Sequence, residues 1–297
     1  MKSGAKIRLS IITFLMLVAI STWAQKVTKE KTTYFKTPKG FKYIPQGNVL
    51  LDKDSTHLFG FYMLESEVSN IMYKEFLDSL KAQGKTTEFA VANVDTLKWR
   101  DKLAYNEPFV SYYFQHPAYQ NYPVVNISYE GAVLYCQWLT EKLNKQSKGK
   151  KVKAQLPSRA QWVWAARNGT KYNVYSWNGP YLFKNEGGLY CNYYATGDQC
   201  VHYNSETKEF ENIKSSIGRN CGIAESTDIM TPVRSYLPSK FGLYNMNGNV
   251  AEMVHEKGIA VGGSWKSPGY DVRNESMLNY TEASTTVGFR PILVVEY

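Results

Sequence analysis

Apolar residues recur at helical spacing in three stretches of the chain. In the first stretch this spacing relates Val68, Ile71, Met72, Phe76 and Leu80. Residues three and four positions apart lie on one face of a helix, and Gly84 supplies a common helix end. The pattern therefore predicts a helix that buries this stripe and stops before Gly84.

Two further helices are predicted from start signals as well as from spacing. The second stripe contains Ala132, Tyr135, Cys136 and Leu139, and Ser128 precedes it as a favourable N-cap. The third starts at Ser158, which forms the pattern of a capping box with Gln161. Its inward residues are expected to be Trp162, Ala165 and Ala166, with Gly169 as the end.

Outside these helices the chain has short apolar runs interrupted by Gly, Pro, Asn and Tyr. Such a pattern predicts short strands and much irregular structure, so we expect the α+β class with little regular secondary structure. The apolar content of 43% is sufficient for a compact core. No long linker or internal repeat divides the chain after Phe41, which predicts one domain over residues 41–297.

The N-terminal segment has the pattern of an export signal. Lys2, Lys6 and Arg8 precede a short apolar run, and small residues flank an expected cut after Ala24. We predict a signal peptide over residues 1–24 and a flexible polar arm over residues 25–40. An uncleaved membrane anchor is the alternative, although the apolar run is shorter than the roughly 20 residues that span a bilayer. Export predicts a periplasmic or envelope location.

The charge pattern argues against a nucleic-acid role. The formal net charge is +9, and removal of the three signal cations leaves +6. The lysines are scattered rather than gathered beside a known motif, so no nucleic-acid partner is expected. After cleavage we expect membrane association only through partner proteins.

Four cysteines follow the predicted cut. Cys136 falls in the second helical stripe and is predicted to be a buried, unreactive small hydrophobe. Cys191, Cys200 and Cys221 lie in a turn-rich stretch, and export permits disulfides there. We predict a bridge between Cys200 and Cys221, which flank a polar insertion, with pairing of Cys191 to either as the alternative.

A series of short motifs follows in a fixed order along the chain. The series includes Glu67-Val68-Ser69-Asn70, Leu156-Pro157-Ser158-Arg159, Gly248-Asn249-Val250-Ala251-Glu252, Gly262-Gly263-Ser264-Trp265 and Gly288-Phe289-Arg290. This order resembles the formylglycine-generating-enzyme-like family, also called the sulfatase-modifying-factor domain, over roughly residues 41 to 297. The resemblance implies a variant of the C-type-lectin fold that is poor in regular structure.

A narrower resemblance lies inside the first. The segments Asp95–Trp99, Tyr105–Pro108 and Tyr113–Tyr119 are similar to those of gliding-motility lipoproteins of the K and J type. The K-type protein is a periplasmic ring subunit of the type IX secretion system. The present chain departs from that pattern because it has no lipid-attachment cysteine and is shorter. A divergent paralogue is the resulting expectation.

The resemblance also identifies where catalytic thiols would stand. The family enzyme oxidises a substrate cysteine with two thiols that hold copper, just after the Gly-Gly-Ser-aromatic motif. Here Ser267 and Val272 occupy the two positions. Cu(I) requires soft thiolate ligands, so we expect neither copper binding nor this oxidation. The histidine iron site of the sulfoxide-synthase branch has no counterpart either, because His57, His116, His202 and His255 are isolated.

Calcium is the metal that the resemblance leaves open. The family's Gly-Asn-Val-Trp-Glu motif helps to bind calcium, and Asn249, the Val250 carbonyl and Glu252 match it by position. Asp228 and Asn192 are looser candidates for a second site. Calcium prefers carboxylate, amide and carbonyl oxygens, but hydrogen bonding within a tight turn explains the same residues.

These observations favour an envelope assembly component that does not catalyse a reaction. We expect protein–protein contact with envelope or secretion-system proteins, and a homo-oligomer or ring is consistent with the narrower resemblance. One alternative is an oxidoreductase of the same family with an unrecognised site. The other is a carbohydrate- or surface-binding module, because exposed tyrosines suit sugar stacking as well as protein contact. The candidate tyrosines are Tyr112, Tyr113, Tyr119, Tyr122, Tyr181 and Tyr190.

Overall fold

The end of the chain returns to its beginning in an antiparallel sheet. The computed structural model describes residues 36–100, 105–147, 149–184, 188–194, 201–204, 206–212 and 229–296. The sheet has the order β1-β4-β12-β5 and comprises β1 (Phe41–Ile44), β4 (Phe61–Leu64), β12 (Ile292–Val295) and β5 (Val152–Gln155). Ile292 lies opposite both Met63 and Gln155, so the last strand joins the first segment to the middle of the chain.

A tight hairpin separates the first two strands of this sheet. It consists of β2 (Gly47–Leu51) and β3 (Asp54–Leu58), paired in antiparallel register. The two loop residues, Asp52 and Lys53, have φ values of 50° and 77°. Positive φ at both loop positions matches the twist of a two-residue hairpin and is tolerated by Asp more readily than by most residues.

The second sheet carries the motif that ends in Glu252. Its order is β10-β9-β8-β11, and its strands are β8 (Ala251–Met253), β9 (Ile259–Val261), β10 (Met277–Asn279) and β11 (Val287–Phe289). Strands β8 and β11 are parallel, and Gly288 lies opposite Glu252. This register brings Arg290, one residue beyond β11, close to Glu252. A separate hairpin pairs β6 (Val201–Asn204) with β7 (Glu209–Asn212).

The described helices include the three that the sequence predicts and two that it does not. The predicted ones are α1 (Asn70–Ala82), α4 (Tyr129–Gln146) and α5 (Arg159–Ala166). The additional ones are α2 (Thr86–Ala92) and α3 (Glu107–Tyr112), each short and without a side-chain cap hydrogen bond. With two further 3₁₀ turns at Thr96–Trp99 and Pro117–Tyr119, the fold mixes helix and sheet with modest regular structure, as the sequence predicts.

The predicted helix caps are confirmed by their hydrogen bonds. Ser128 Oγ accepts from the Gly131 amide at 2.9 Å, and Ser158 Oγ accepts from the Gln161 amide at 3.1 Å. The Gln161 side chain returns a bond to the Ser158 amide at 2.9 Å, which completes the capping box. The predicted inward faces of α4 and α5 are buried.

The predicted face of α1 is only partly correct. Ile71 is 48% exposed, whereas Tyr73, Phe76, Leu77 and Leu80 are buried. The helix begins at Asn70, so Val68 lies before it and does not belong to the helical stripe. The prediction takes Val68 as the first helical residue, and it therefore places Ile71 on the buried face of α1.

Some predicted features lie outside the described residues, and others are confirmed within them. The signal peptide, most of the polar arm, Cys200, Cys221 and Asp228 lie outside. Cys136 is a buried free thiol, as predicted, and Cys191 is a second one. Within the described ranges, no helix combines the length and the apolar character needed to cross a membrane.

Candidate functional site

The Asn245–Glu252 segment is a turn whose backbone selects its residues. Asn245, Gly248 and Asn249 have φ values of 50°, 72° and 62°. Asn and Gly tolerate this left-handed region best. At Gly248 a Cβ atom would lie 2.2 Å from the Asn192 carbonyl oxygen, so no other residue fits there without displacing the neighbouring chain. The motif is therefore explained first by backbone geometry.

An ion pair without solvent access lies at the end of this turn. Glu252 is 1% exposed and Arg290 is 0% exposed. Arg290 Nη2 contacts Glu252 Oε1 at 2.6 Å, and its Nε lies 3.0 Å from Oε2. Trp162 Nε1 donates to the same Oε2 at 2.7 Å. Because burial removes water from both charges, these bonds supply the partners that a buried charge requires.

The guanidinium also fixes two distant backbone segments. Arg290 Nη1 donates to the Leu64 carbonyl at 3.2 Å, and Nη2 donates to the Tyr244 carbonyl at 2.7 Å. Leu64 belongs to the first sheet, whereas Glu252 belongs to the second. Arg290 therefore holds the two sheets together through hydrogen bonds.

A second buried carboxyl, Glu67, completes this centre. Its side chain is inaccessible to solvent. Asn249 Nδ2 donates to Oε1 at 2.8 Å, and Asn245 Nδ2 lies 3.3 Å from Oε2. Burial raises the pKa of Glu67 to about 8; the positive charge of Arg290 opposes this shift, and the negative charge of Glu252 adds to it. Burial therefore favours the protonated form of Glu67 at neutral pH.

We call Glu67, Glu252 and Arg290 the buried charge centre. All three residues lie within the sequence motifs, but only Glu252 is predicted from the sequence to have a role. A glutamate that precedes an apolar helix start, and an arginine between two apolar strands, are the signals that were available. Neither signal identifies the partner, because the contacts join residues that are far apart in the sequence.

The predicted calcium residues are brought together only in part. The Asn249 amide donates to the Asn192 carbonyl at 2.7 Å, so these two residues are neighbours. The side chain of Glu252 points to Arg290 and Trp162 instead. Asn249 Oδ1 accepts from the Thr231 amide at 2.7 Å and from its hydroxyl at 3.2 Å. Val250 packs in a buried cluster with Trp99, Tyr113 and Trp265.

One oxygen in this region suits a cation. Asn192 Oδ1 is buried and has no hydrogen-bond partner in the described part of the chain. Such an amide oxygen is a typical calcium ligand, whereas the oxygens of Glu252 are already engaged. A calcium ion here would use Asn192 Oδ1 as a ligand; Asp228, the other candidate, is outside the described residues. Calcium stays a prediction.

The two expected thiol positions contain no metal-binding thiol. Ser267 Oγ accepts from the Ser264 amide at 3.0 Å and lies 3.2 Å from its hydroxyl, within a tight turn. Val272 is fully buried in an apolar cluster that includes Tyr175, Leu189 and Cys191. Burial raises the pKa of the Cys191 thiol well above its ordinary range, so this neighbouring sulfur stays protonated.

Other metal chemistry has little support in the described residues. Nowhere in these ranges do three or more His, Cys, Asp or Glu side chains gather at metal-binding distance. His57 Nδ1 bonds to the Asn48 side chain at 2.8 Å, and His116 Nδ1 accepts from the Ala118 amide at 3.1 Å. Both histidines have local structural partners.

Fold and site together define a class: a mixed α and β domain whose motif residues hold a buried charge centre beside a thiol-free turn. Residues 25–295 match the model of the "Sulfatase-modifying factor enzyme 1-like domain". The chain belongs to this family.

The curated relatives include active enzymes and one named as inactive. The formylglycine-generating enzyme of Streptomyces coelicolor is 30% identical over 152 residues, which cover 50% of this chain and 34% of the relative. The Mus musculus enzyme is 25% identical over 216 residues, covering 66% and 49%. The "Inactive C-alpha-formylglycine-generating enzyme 2" of Bos taurus is 26% identical over 132 residues, covering 44% and 32%. The chain thus matches between about a third and a half of the length of these relatives.

Solved structures show the same fold at low sequence identity. PvdO from Pseudomonas aeruginosa has a TM-score of 0.53 at 19% identity and covers 91% of this chain and 100% of its own. Treponema denticola variable protein 1 has a TM-score of 0.52 at 16% identity, with coverages of 85% and 94%. These matches establish the fold of the chain and nothing of its activity.

Proposed function

We propose that this chain is a non-catalytic member of its family that acts through protein–protein contact. The observation that carries the proposal is the chemistry of Ser267 and Val272, which stand at the two positions of the family's thiols. A serine hydroxyl is a hard ligand, and a valine has no donor atom, so neither supports Cu(I). The inactive relative from Bos taurus, by its name, indicates that the family includes proteins without the enzymatic activity.

The finer proposal is an assembly component of the periplasm or envelope, similar to the K-type subunit of type IX secretion and gliding motility. Its support is the segment from Asp95 to Tyr119, whose motifs resemble that group. In this segment Leu97, Tyr105 and Tyr112 are 56%, 86% and 55% exposed. Aromatic side chains are enriched at protein interfaces, so we call these three residues the contact surface. The K-type relation, together with the C-type-lectin relation of the fold, remains part of the proposal.

Trp99 and Tyr113 anchor this segment to the rest of the molecule. Both are buried in the cluster that contains Val250 from the Gly-Asn-Val-Ala-Glu motif. Their rings lie 4.8 Å apart, and Tyr113 also donates to the Pro123 carbonyl at 2.7 Å. The anchoring holds the contact surface on a fixed support, which reduces the ordering cost of binding.

The experiment compares two triple variants in the organism that makes the protein. Leu97→Ser, Tyr105→Ser and Tyr112→Ser together remove the contact surface. Tyr172→Ser, Tyr181→Ser and Leu237→Ser form the matched control, with one leucine and two tyrosines that are 74%, 68% and 72% exposed. In native extracts of the envelope, the wild type and the control should migrate as a complex larger than one chain. The contact-surface variant should migrate as a folded single chain; an unchanged complex would contradict the proposal.

Export is the remaining part of the proposal and rests on the pattern of residues 1–24. N-terminal sequencing of the mature protein should begin at or near Gln25, and an intact Met1 would refute cleavage. The runner-up is a family oxidoreductase with an unrecognised site. It predicts turnover of a cysteine peptide, which the assembly proposal excludes.

A further inference from the structure

A second candidate site is a cavity whose lining includes neither of the expected thiol positions, Ser267 and Val272. Its volume is about 440 Å³, which lies within the range of about 300–1,000 Å³ that small-molecule sites occupy. Asn178, Leu237 and Lys240 are exposed at its mouth, and Asn245, Met246 and Asn247 are buried at its base. The cavity therefore extends from the surface to the turn that carries the family motif.

The polar lining of this cavity is almost entirely uncharged. Five asparagines, two serines and one threonine line it, and Lys240 is the one charged residue among the described residues of the lining. An acidic ligand would be expected to meet more than one cation, and a basic ligand would be expected to meet a carboxylate. The lining thus fits a neutral ligand that forms many hydrogen bonds.

One atom at the base lacks the partner that burial demands. Asn245 is 6% exposed, and its Nδ2 faces Glu67 and the Pro232 carbonyl. Its Oδ1 is buried and has no hydrogen-bond partner among the described residues. This acceptor has no partner while the amide faces Glu67, and a turn of the amide toward the cavity would let a ligand donor satisfy it. The ligand should therefore present hydroxyl or N–H donors to the base.

The aromatic residues of the lining provide a flat apolar wall. Tyr175, Trp177 and Tyr190 form a stack with centroid separations of 4.7 and 4.9 Å and interplanar angles of 6° and 10°. Trp177 is covered on both faces, whereas Tyr190 ends the stack and has a ring on one face only in the described part. Tyr190 lines the cavity with Tyr236. A flat ring beside amide groups suits a molecule with one apolar face and several hydroxyls.

We propose that this cavity binds a neutral saccharide. A sugar ring offers hydroxyl donors for Asn245 Oδ1, hydroxyl acceptors for Asn178 and Lys240, and a C–H face for Tyr190. A peptide strand fits less well, because the lining residues belong to none of the strands of the described sheets and offer no row of backbone groups. This inference does not depend on the loss of catalysis.

The test titrates the full mature protein with chitobiose, cellobiose and maltose by isothermal calorimetry, up to about 10 mM. Glucosamine and glucuronic acid serve as cationic and anionic comparators. At least one neutral disaccharide should bind, and Tyr190→Ala should weaken its binding at least about tenfold, equivalent to about 1.4 kcal/mol. Asn178→Ala, at an exposed position that the fold does not require, should weaken it in the same direction. Tyr43→Ala, at a residue that is 54% exposed and does not line the cavity, is the matched control and should bind normally.

Three results would overturn the proposal. The first is binding of no neutral disaccharide in this range. The second is binding that neither Tyr190→Ala nor Asn178→Ala weakens in folded protein. The third is Tyr190-dependent binding of random-sequence peptides, or of a charged sugar alone, which would assign the cavity to a different ligand.

Discussion

Two turns of the molecule belong to neighbouring family motifs: the turn that ends in Glu252 and the turn from Ser264 to Val272. They differ in their polar contacts and in the chemistry that their side chains allow. The first places Glu252 in bonds to Arg290 and Trp162, and its backbone tolerates only Gly at position 248. The second keeps a hydrogen-bonded turn at Ser267 but ends in a buried valine. One turn has kept its polar contacts, and the other has none of the thiols required for copper chemistry.

The comparison distinguishes residues that maintain the fold, such as Glu252 and Arg290, from the two positions at which the family's thiols are expected. A buried ion pair becomes strongly destabilising when one partner is removed, so the fold itself constrains the charge centre. Val272 lies within an apolar cluster and needs no polar partner, so it imposes no comparable constraint on the fold. The family motifs thus persist in a chain whose proposed role needs only its shape.

The largest effect should follow from removal of the cation at the charge centre. Arg290→Met leaves Glu252 buried without its cationic partner, which should cost about 3–5 kcal/mol of unfolding free energy. Urea unfolding measures the loss. Arg100→Met, which breaks an exposed pair with Glu107, is the matched control and should barely change stability. A loss from Arg290→Met no greater than that from the control would remove the distinction between the two turns.

The protonation of Glu67 should make stability depend on pH. The folded chain holds this proton up to about pH 8, whereas the unfolded chain releases it near pH 4.5. The folded state therefore binds more protons between these values, and its contribution, full below pH 4.5, is lost as the pH rises to 8. Glu67→Gln removes the titrating group, so the stability difference between variant and wild type should shift toward the variant from pH 5 to pH 8. Parallel pH profiles of unfolding free energy would contradict the shifted pKa.

The sequence predicts the local parts of this comparison better than the distant ones. The capping box at Ser158 and the N-cap at Ser128 require only nearby residues, and both are confirmed. The face of α1 was misjudged because a single residue, Val68, changed the assumed start of the helix.

The charge centre could not be read from local pattern. Glu67 and Asn245 are 178 residues apart, and Glu252 and Arg290 are 38 apart. Their contact depends on the pairing of strands from different parts of the chain. The same limitation applies to Asn192, whose unpaired oxygen becomes evident only when its surroundings are known. The assignment of Ser267 and Val272 to the expected thiol positions, by contrast, rests on motif position alone and stays a prediction.

Calcium binding beside the turn that ends in Glu252 would give this turn a role in addition to its polar contacts. A ligand at about 100 times its dissociation constant adds about 2.7 kcal/mol to stability. If the ion binds beside Asn192, chelation should lower the melting temperature of the wild type, and Asn192→Ala should abolish that response. Asn247→Ala changes a buried amide within the turn that ends in Glu252 and should keep the response. An equal melting temperature with and without chelator would count against a site.

A smaller loss of unfolding free energy is expected at the turn from Ser264 to Val272. Ser267→Ala removes the acceptor of the Ser264 amide and should cost about 0.5–1.5 kcal/mol. Urea unfolding detects this change, and Ser147→Ala, which removes the acceptor of the Gly149 amide in a separate turn, provides the control. A cost as large as that of Arg290→Met would show that this turn, too, is essential to the fold.

The most direct test of the central claim is mass spectrometry of a Cys-x-Pro-x-Arg peptide after incubation with copper-treated protein under oxygen. With Ser267 and Val272 in place of both thiols, we predict that the peptide mass stays unchanged. Conversion of cysteine to formylglycine lowers the peptide mass by about 18 units. The reaction requires an activated sulfur site in the enzyme. Such a loss, dependent on the wild-type protein, would contradict the assignment of a non-catalytic family member.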